Sequence, residues 1–485
     1  MRRSFCILLV SYFALTLSSF AHHIKPAVLK TMSVTTTSAK ARNLYERAMT
    51  DYENYYLERA NIGWRAATKE DPDFALAYVW LAFNSRNPVE VSSALATAQA
   101  LEPKVTPGER LMIEWIVNVR RNNFIAGISA MNDMMTMFPR DKRLLYLAGN
   151  WMMGESGYDH AEIFFERALA IDKNYPAPMN DLAYVYARQR QFNKALATMD
   201  RYAAVLPGQP NPQDSYAELL RMSGKFQPAL DHYRAALKID PEFISSQLGL
   251  GDTYALMGDE ARARIEYDKA VQQAQNDADR LDYELQKGIS YVRENNFAEA
   301  DRVFLAAAGR GHLLGFHLQE AKAHHMIGMY QHDDASALKH LQLAEDALAH
   351  ESTLPIAERE EERAKILRVR VVRAAHAGDQ QQANKSLQQL EQMADGSSSK
   401  NIQNAWHGAA GALLVSQKKF ADAIAHLEED DDNPCSLALL AQAYSATEST
   451  EKLHQAEARL GATYMPTLEQ ALGVSSAWTR LVASN

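Results

Sequence analysis

Small and bulky side chains recur along the middle of the chain at a nearly constant interval. Between Pro176 and about Gly309, a small residue is followed three positions later by an aromatic residue or leucine. These small residues are Ala183, Ala217, Gly251 and Gly288, spaced by 34, 34 and 37 residues. An alanine stands twelve positions after each of them, and four positions later comes a bulky residue: Met199, Tyr233, Tyr267 and Phe304. The pattern predicts pairs of helices in which small residues permit close approach and bulky residues fill the gap.

The same units suggest how the helices are arranged along the chain. The first two end at the same phase in Pro207 and Pro241, and proline ends a helix because it lacks an N–H. A single hairpin cannot bury its apolar face, so the next repeat must cover it. The pattern resembles the tetratricopeptide repeat, over roughly residues 40–470 and about ten units. The resemblance implies an all-α fold, a right-handed α-solenoid (superhelix) of stacked tetratricopeptide helical hairpins.

The N-terminal half carries a narrower resemblance. The strings EDPDFALAYVWLAF, VTPGERLMIEWIVN and MFPRDKRLLYLAGNW are similar to the extracytoplasmic repeat regions of bacterial membrane-bound Ser/Thr kinases and winged-helix regulators. No Gly-rich phosphate loop and no HRD-like or DFG-like string accompanies them. The resemblance therefore implies a repeat scaffold and a compartment, without kinase or DNA-binding parts.

The fidelity of the repeat and the breaks in it suggest how the chain is organised. Polar stretches at 350–358 and 394–401 contain Pro, Gly or Ser and predict joints, and the acidic run at 428–434 predicts a solvated loop. The predicted segments are a signal peptide (1–21), a flexible leader (22–38), divergent N-terminal hairpins (39–175), a well-formed array (176–309), divergent hairpins (310–400), and C-terminal hairpins with a cap (401–485).

The N-terminus predicts export. Arg2 and Arg3 precede a long apolar stretch, and Ser19 and Ala21 put small residues where a signal peptidase cleaves, which predicts a mature chain beginning at His22. The alternative is an uncleaved anchor, because about 18 apolar residues can span a bilayer. Cleavage would also remove Cys6 and leave Cys435 as the single cysteine. An exported chain without a disulfide favours a periplasmic or secreted protein of a bacterial envelope.

Charge and motifs limit the classes of function. The formal net charge is -9, with no long basic run, which argues against nucleic acid or an anionic lipid surface as the partner. The sequence contains no HExxH, GxSxG, GxxxxGK[ST] or paired CxxC motif. We therefore expect no catalytic residue, cofactor or metal. Neither do we expect an integral membrane segment after signal cleavage.

Histidines are concentrated in one region. Seven of the fifteen histidines lie between His312 and His350, and such groups can build a zinc site or a pH-sensitive surface. His317 and His324 would share a helix face, but seven residues place them about 10 Å apart, too far for one ion. The simpler interpretation is a set of exposed histidines on degenerate repeats.

The predicted partner site lies on the inner side of the best repeats. In tetratricopeptide proteins the first helices of successive hairpins line the concave face, where partners commonly bind. The matching positions in this sequence are Asn180, Tyr184, Arg188, Asp214, Glu218, Arg221 and Asp252. An amide, a phenol and mixed charges suit a peptide, although any single one of these positions is more often an ordinary surface residue. Asp181 and Asp214 stand where a clamp for a C-terminal carboxylate would need basic residues, so that specificity is not expected.

Three hypotheses of function remain open from the sequence. The leading one is an exported, non-catalytic scaffold that binds a protein or peptide through its concave face. The second is an assembly component of an envelope biogenesis or polysaccharide-export complex, whose partner is another repeat protein. The third is an enzyme whose site is hidden in a divergent repeat. A repeat fold does not by itself name its ligand.

Overall fold

The computed structural model describes residues 31–350 and 355–483, and within them the chain is helical, with no strand. The helices form twelve antiparallel hairpins followed by two short helices, two hairpins more than the repeat pattern suggests. In the N-terminal part they are α1 (Ala39–Glu53), α2 (Leu57–Glu70), α3 (Ala75–Asn84), α4 (Pro88–Leu101), α5 (Pro107–Arg120), α6 (Phe124–Met137), α7 (Lys142–Gly154) and α8 (Tyr158–Ile171).

The central hairpins are the most regular. They are α9 (Pro176–Arg188), α10 (Phe192–Val205), α11 (Pro210–Met222), α12 (Phe226–Ile239), α13 (Ile244–Leu256), α14 (Glu260–Gln273), α15 (Asp277–Arg293) and α16 (Phe297–Leu314). The later helices are α17 (His317–Tyr330), α18 (Asp334–His350), α19 (Ile356–His376), α20 (Gln380–Asp395), α21 (Lys400–Ser416), α22 (Phe420–Leu427), α23 (Pro434–Ala446), α24 (Thr450–Gly461), α25 (Leu468–Val474) and α26 (Ala477–Ala483). The structure thus confirms the predicted all-α solenoid.

Ten of the twelve hairpins turn through one residue with a positive φ angle; the α3–α4 and α17–α18 turns do not. Four of these residues, Ser156, Arg190, Gly224 and Gly258, follow one another at intervals of 34 residues, in phase with the repeat. Serine and arginine adopt the left-handed conformation at a cost that glycine avoids. The turn geometry is therefore imposed by the packing of the two helices and not by glycine alone.

The small residues of the repeat lie where the pattern places them. A Cβ atom on Gly251 would lie 2.5 Å from the Tyr267 ring, and one on Gly288 would lie 2.4 Å from the Phe304 ring. Both contacts join the two helices of one hairpin, α13 with α14 and α15 with α16. The predicted contact between small and bulky positions is confirmed in these units.

The first helices of successive hairpins also contact one another, as α7, α9, α11, α13 and α15 do, so they line the inner side of the superhelix. The superhelix turns back on itself. Arg86, after α3, forms ion pairs with Asp279 and Asp282 of α15, and Arg120 of α5 pairs with Glu358 of α19. The N-terminal hairpins therefore close against the middle of the chain, and the inner space is divided into small cavities.

Two connecting regions are more tightly held than their composition suggests. The Met32 N–H donates to Asp141 over 2.9 Å, and the Thr35 N–H donates to Glu109 over 2.7 Å. The described part of the predicted flexible leader is therefore attached to the N-terminal ends of α5 and α7. In the acidic run, Asp430 is buried and pairs with Arg368 at 2.9 Å, so this carboxylate is not solvated as expected for a loop.

The predicted signal peptide lies outside the described residues. Among the residues described, no helix is long and apolar enough to cross a membrane. Cys435 is buried, its thiol faces the Glu469 carbonyl at 3.6 Å, and burial raises its pKa. A thiol held in the protonated form is a poor nucleophile.

Candidate functional site

The residues predicted to face a partner lie on three inner helices. Asn180, Tyr184 and Arg188 belong to α9, Asp214, Glu218 and Arg221 to α11, and Asp252 to α13. Four of them form one hydrogen-bonded chain across the three helices. Tyr184 Oη donates to Glu218 over 2.8 Å, and Arg221 donates to Glu218 over 2.8 Å and to Asp252 over 3.3 Å. The structure thus brings together residues that are up to 68 positions apart in the sequence.

Burial separates these residues into two groups. Asn180, Asp214 and Arg221 are 2%, 7% and 4% exposed, whereas Arg188 is exposed and the other three are intermediate. Burial raises the pKa of Asp214 to about 7, although the Ser246 hydroxyl donates to its carboxyl over 2.6 Å. Asp214 and Arg221 hold neighbouring hairpins together, and Asn180 contacts the turn of the first hairpin. Direct contact with a partner remains a prediction for the more exposed members.

The turn between α1 and α2 covers part of the predicted groove. Tyr55 Oη accepts a hydrogen bond from Asn180 over 2.8 Å and donates to the adjacent Asp181. Tyr56 Oη donates to Asp240 over 3.1 Å, and its ring meets the edge of Phe243. The N-terminal hairpin therefore sits against the inner side of the central array, which explains why Asn180 is buried.

A second stretch of the chain, residues 462–467, lies on the same inner side. We call it the C-terminal segment; it connects α24 to α25 without helical structure. Gln286 Nε2 donates to the Pro466 carbonyl over 2.6 Å, and Arg293 donates to the Thr467 carbonyl over 3.2 Å. Both donors belong to α15, so an inner helix binds the backbone of this segment.

Side chains of the C-terminal segment fit the ends of two hairpins. The Tyr464 ring lies against Gly224, where a Cβ atom would be 2.7 Å away, and meets the edge of Phe226. Arg188 donates to the Met465 sulfur over 3.7 Å. Arg188 is thus the predicted groove residue that touches an extended peptide in this structure, and that peptide is part of the same chain.

A cavity of about 410 Å³ adjoins the C-terminal segment. Two further cavities of about 370 and 330 Å³ lie nearby, and Lys365 of α19 lines all three. Its side chain is 53% exposed to this inner space, and its Nζ is 3.7 Å from Glu362. The charge of Glu362 raises the pKa of Lys365.

Glu362 and His325 form the wall behind Lys365. Burial by itself would raise the pKa of Glu362, but the His325 hydrogen bond of 2.9 Å and the Lys365 charge lower it to about 2. His325 is 6% exposed, and its Nε2 atom has no hydrogen-bond partner. Both groups line the 330 Å³ cavity and give it polar and charged walls suited to a polypeptide segment.

The three cavities around Lys365 were not predicted from the sequence. Helix α19, which lines all three cavities, is 21 residues long and departs from the repeat pattern. The available signal was three arginines that interrupt an apolar run, and all three are buried in the structure: Arg368, Arg370 and Arg373. Buried charges are rare unless they are paired, so their positions mark contacts with other hairpins.

The histidine-rich region does not form one face. His317 approaches His312 of the preceding helix, and His324 lies with its Nδ1 3.1 Å from Nδ1 of His340. His407 and His426 form a similar pair in the hairpin of α21 and α22, with 3.2 Å between their Nδ1 atoms. Burial, together with the charge of the neighbouring His340 ring, lowers the pKa of His324 to about 4.

Comparison with known proteins supports the repeat assignment. Residues 220–282 match the family model of the tetratricopeptide repeat. The chain therefore contains a tetratricopeptide repeat, and the fold is that of a protein-interaction scaffold. No curated protein matches the sequence.

Solved structures with similar folds include several repeat proteins. A tetratricopeptide repeat protein from Parabacteroides merdae is 13% identical over 63% of this chain and 99% of that one, with a TM-score of 0.38. MamA from Desulfovibrio magneticus is 16% identical over 34% of this chain and 94% of that one, with a TM-score of 0.29. An O-GlcNAc transferase from Thermobaculum terrenum is 16% identical over 27% of this chain and 26% of that one, with a TM-score of 0.26. The narrower resemblance to extracytoplasmic regions of kinases stays a prediction.

Proposed function

We propose that this protein is an exported, non-catalytic scaffold that binds an extended segment of a protein partner on its inner side. One observation carries the proposal. The C-terminal segment lies there without helical structure, and Gln286 and Arg293 bind its backbone carbonyls. Hydrogen bonds to a peptide backbone do not depend on the side chains of the peptide. The same donors therefore suit a segment of another protein.

The cavity beside the C-terminal segment supports the same function. Exposed Arg188, Arg190 and Lys365 stand on its walls together with the acidic Asp431 and Asp432. Mixed charges at an interface select and orient a partner more than they increase affinity. A polypeptide with both signs of charge fits this surface better than a polyanion does.

The partner site can be tested by photocrosslinking from single positions. A benzoylphenylalanine at Arg190 or Asn404, both of which line the 410 Å³ cavity, should crosslink to one envelope protein. The matched control carries the same group at Lys238 of α12, which is exposed and does not line this cavity. Equal adducts from all three positions would contradict binding at the inner side, and so would adducts from Lys238 alone.

Export is tested separately by the N-terminus of the mature protein. We expect the chain isolated from the envelope fraction to begin at His22, because Ser19 and Ala21 satisfy the cleavage rule. Edman sequencing or N-terminal peptide mass spectrometry checks this. Recovery of Met1 in the membrane fraction would mean an uncleaved anchor, and recovery in the cytosol would contradict export.

A further inference from the structure

We propose that His312, His317 and Glu320 form a binding site for one zinc ion or a similar divalent transition metal ion. The three residues meet where α16 ends and α17 begins. One ligand atom from each of them lies within 4.8 Å of the other two. Two imidazoles and one carboxylate are a ligand set that zinc takes in proteins, with a fourth position left for water.

The distances around Glu320 suit a shared ion. His312 Nδ1 lies 3.1 and 3.3 Å from the two carboxylate oxygens, and His317 Nδ1 lies 2.7 Å from Oε2. Zinc binds nitrogen and oxygen at about 2.0–2.2 Å, so two ligands of a tetrahedral ion stand about 3.3 Å apart. The His312–Glu320 distances already match this value, and the His317–Glu320 distance is about 0.6 Å shorter than it.

The backbone holds the three ligands in place. The Phe316 N–H donates to the Gly311 carbonyl over 2.8 Å, and the Gly315 N–H donates to the His312 carbonyl over 3.3 Å. This pair of bonds, with Gly315 at φ 75°, is the Schellman motif that ends a helix. His312 is therefore held in the last turn of α16, while His317 and Glu320 occupy the first turn of α17.

Exposure leaves room for the ion and for water. The His312 side chain is 62% exposed, whereas those of His317 and Glu320 are 19% and 14% exposed. His317 and Glu320 are held by their surroundings, whereas the exposed His312 side chain is free to rotate toward an ion bound by the other two. This arrangement is open on one side, as a site with a water ligand requires.

The test is titration of the tag-free protein with Zn²⁺, followed by isothermal calorimetry. We expect one ion per chain with a micromolar dissociation constant, and a loss of affinity of at least tenfold in His317→Ala and in Glu320→Gln. His454 and Glu457 provide a matched control, because they form an exposed His–Glu pair at the same i,i+3 spacing, 3.6 Å apart. His454→Ala should leave the affinity unchanged.

A second measurement separates this site from other histidines. Co²⁺ in place of Zn²⁺ should give visible absorption bands of a tetrahedral centre in the wild type and in a variant with both His324→Ala and His407→Ala. The bands should disappear in His312→Ala, whose side chain is exposed and whose loss should leave the fold intact. No binding by the wild type would overturn the proposal. Equal binding by His312→Ala, His317→Ala and the wild type would also overturn it.

Discussion

Replacement of Arg373 by methionine should lower the free energy of unfolding by about 3–5 kcal/mol, as expected when one partner of a buried ion pair is removed. Arg373 of α19 is 2% exposed. It donates to the carbonyls of Gly328 and Met329 over 2.9 and 2.8 Å, and to Asp334 over 3.2 Å. These carbonyls lie in the last turn of α17, where no further helical N–H can reach them. Methionine fills similar space but leaves both carbonyls and the carboxylate without this donor.

The effect should be measured by equilibrium urea unfolding, with hydrogen exchange of α17–α19 as a local readout, because damage in a repeat array stays near its neighbours. Arg363→Met is the control on the same helix. Arg363 is 46% exposed and stands 3.6 Å from Glu345, and an exposed pair contributes about 0.2–1 kcal/mol. Equal losses in the two variants would mean that Arg373 does not hold these helices together.

Replacement of Gly251 by leucine should destabilise the α13–α14 hairpin by about 1–3 kcal/mol, the usual cost of overpacking a core. The reason is steric. A Cβ atom at this position already lies 2.5 Å from Cε1 of Tyr267, a distance that requires the ring or the helix to move. Tyr267 is 1% exposed and donates to Asp252 over 2.9 Å, so moving its ring also disturbs the inner hydrogen-bonded chain. Thermal unfolding followed by circular dichroism measures the change.

Gly309 supplies the matched control for this substitution. It also lies inside a helix, α16, but nothing stands within 4 Å of a Cβ atom there. Gly309→Leu should therefore be neutral or stabilising by up to about 1 kcal/mol, because glycine is a poor helix former. If both leucine variants are equally unstable, the loss in Gly251→Leu does not come from the Tyr267 contact.

For the groove residues, the repeat pattern predicted the helices that carry them but not the burial of their side chains. The phase of the repeat placed Asn180, Glu218 and Asp252 on inner helices, and the structure has them on α9, α11 and α13. Their surroundings did not follow from the phase. Asn180 is buried because Tyr55, 125 residues away in the sequence, packs on it and accepts a hydrogen bond from its side chain. A repeat pattern describes one hairpin and its neighbours, and it holds no information about a distant turn.

The sequence by itself determined the helical hairpins, because the contacts inside a hairpin are local. Spacing alone brings Gly251 to Tyr267 and Gly288 to Phe304, and both contacts are present. The tertiary structure alone decided that Arg86 meets α15 and that the C-terminal segment lies beside Gln286. These contacts depend on the small rotation added at every hairpin and on irregular helices such as the 21-residue α19. Small differences accumulate over many hairpins, so the closure of the superhelix and the cavities within it become visible only in three dimensions.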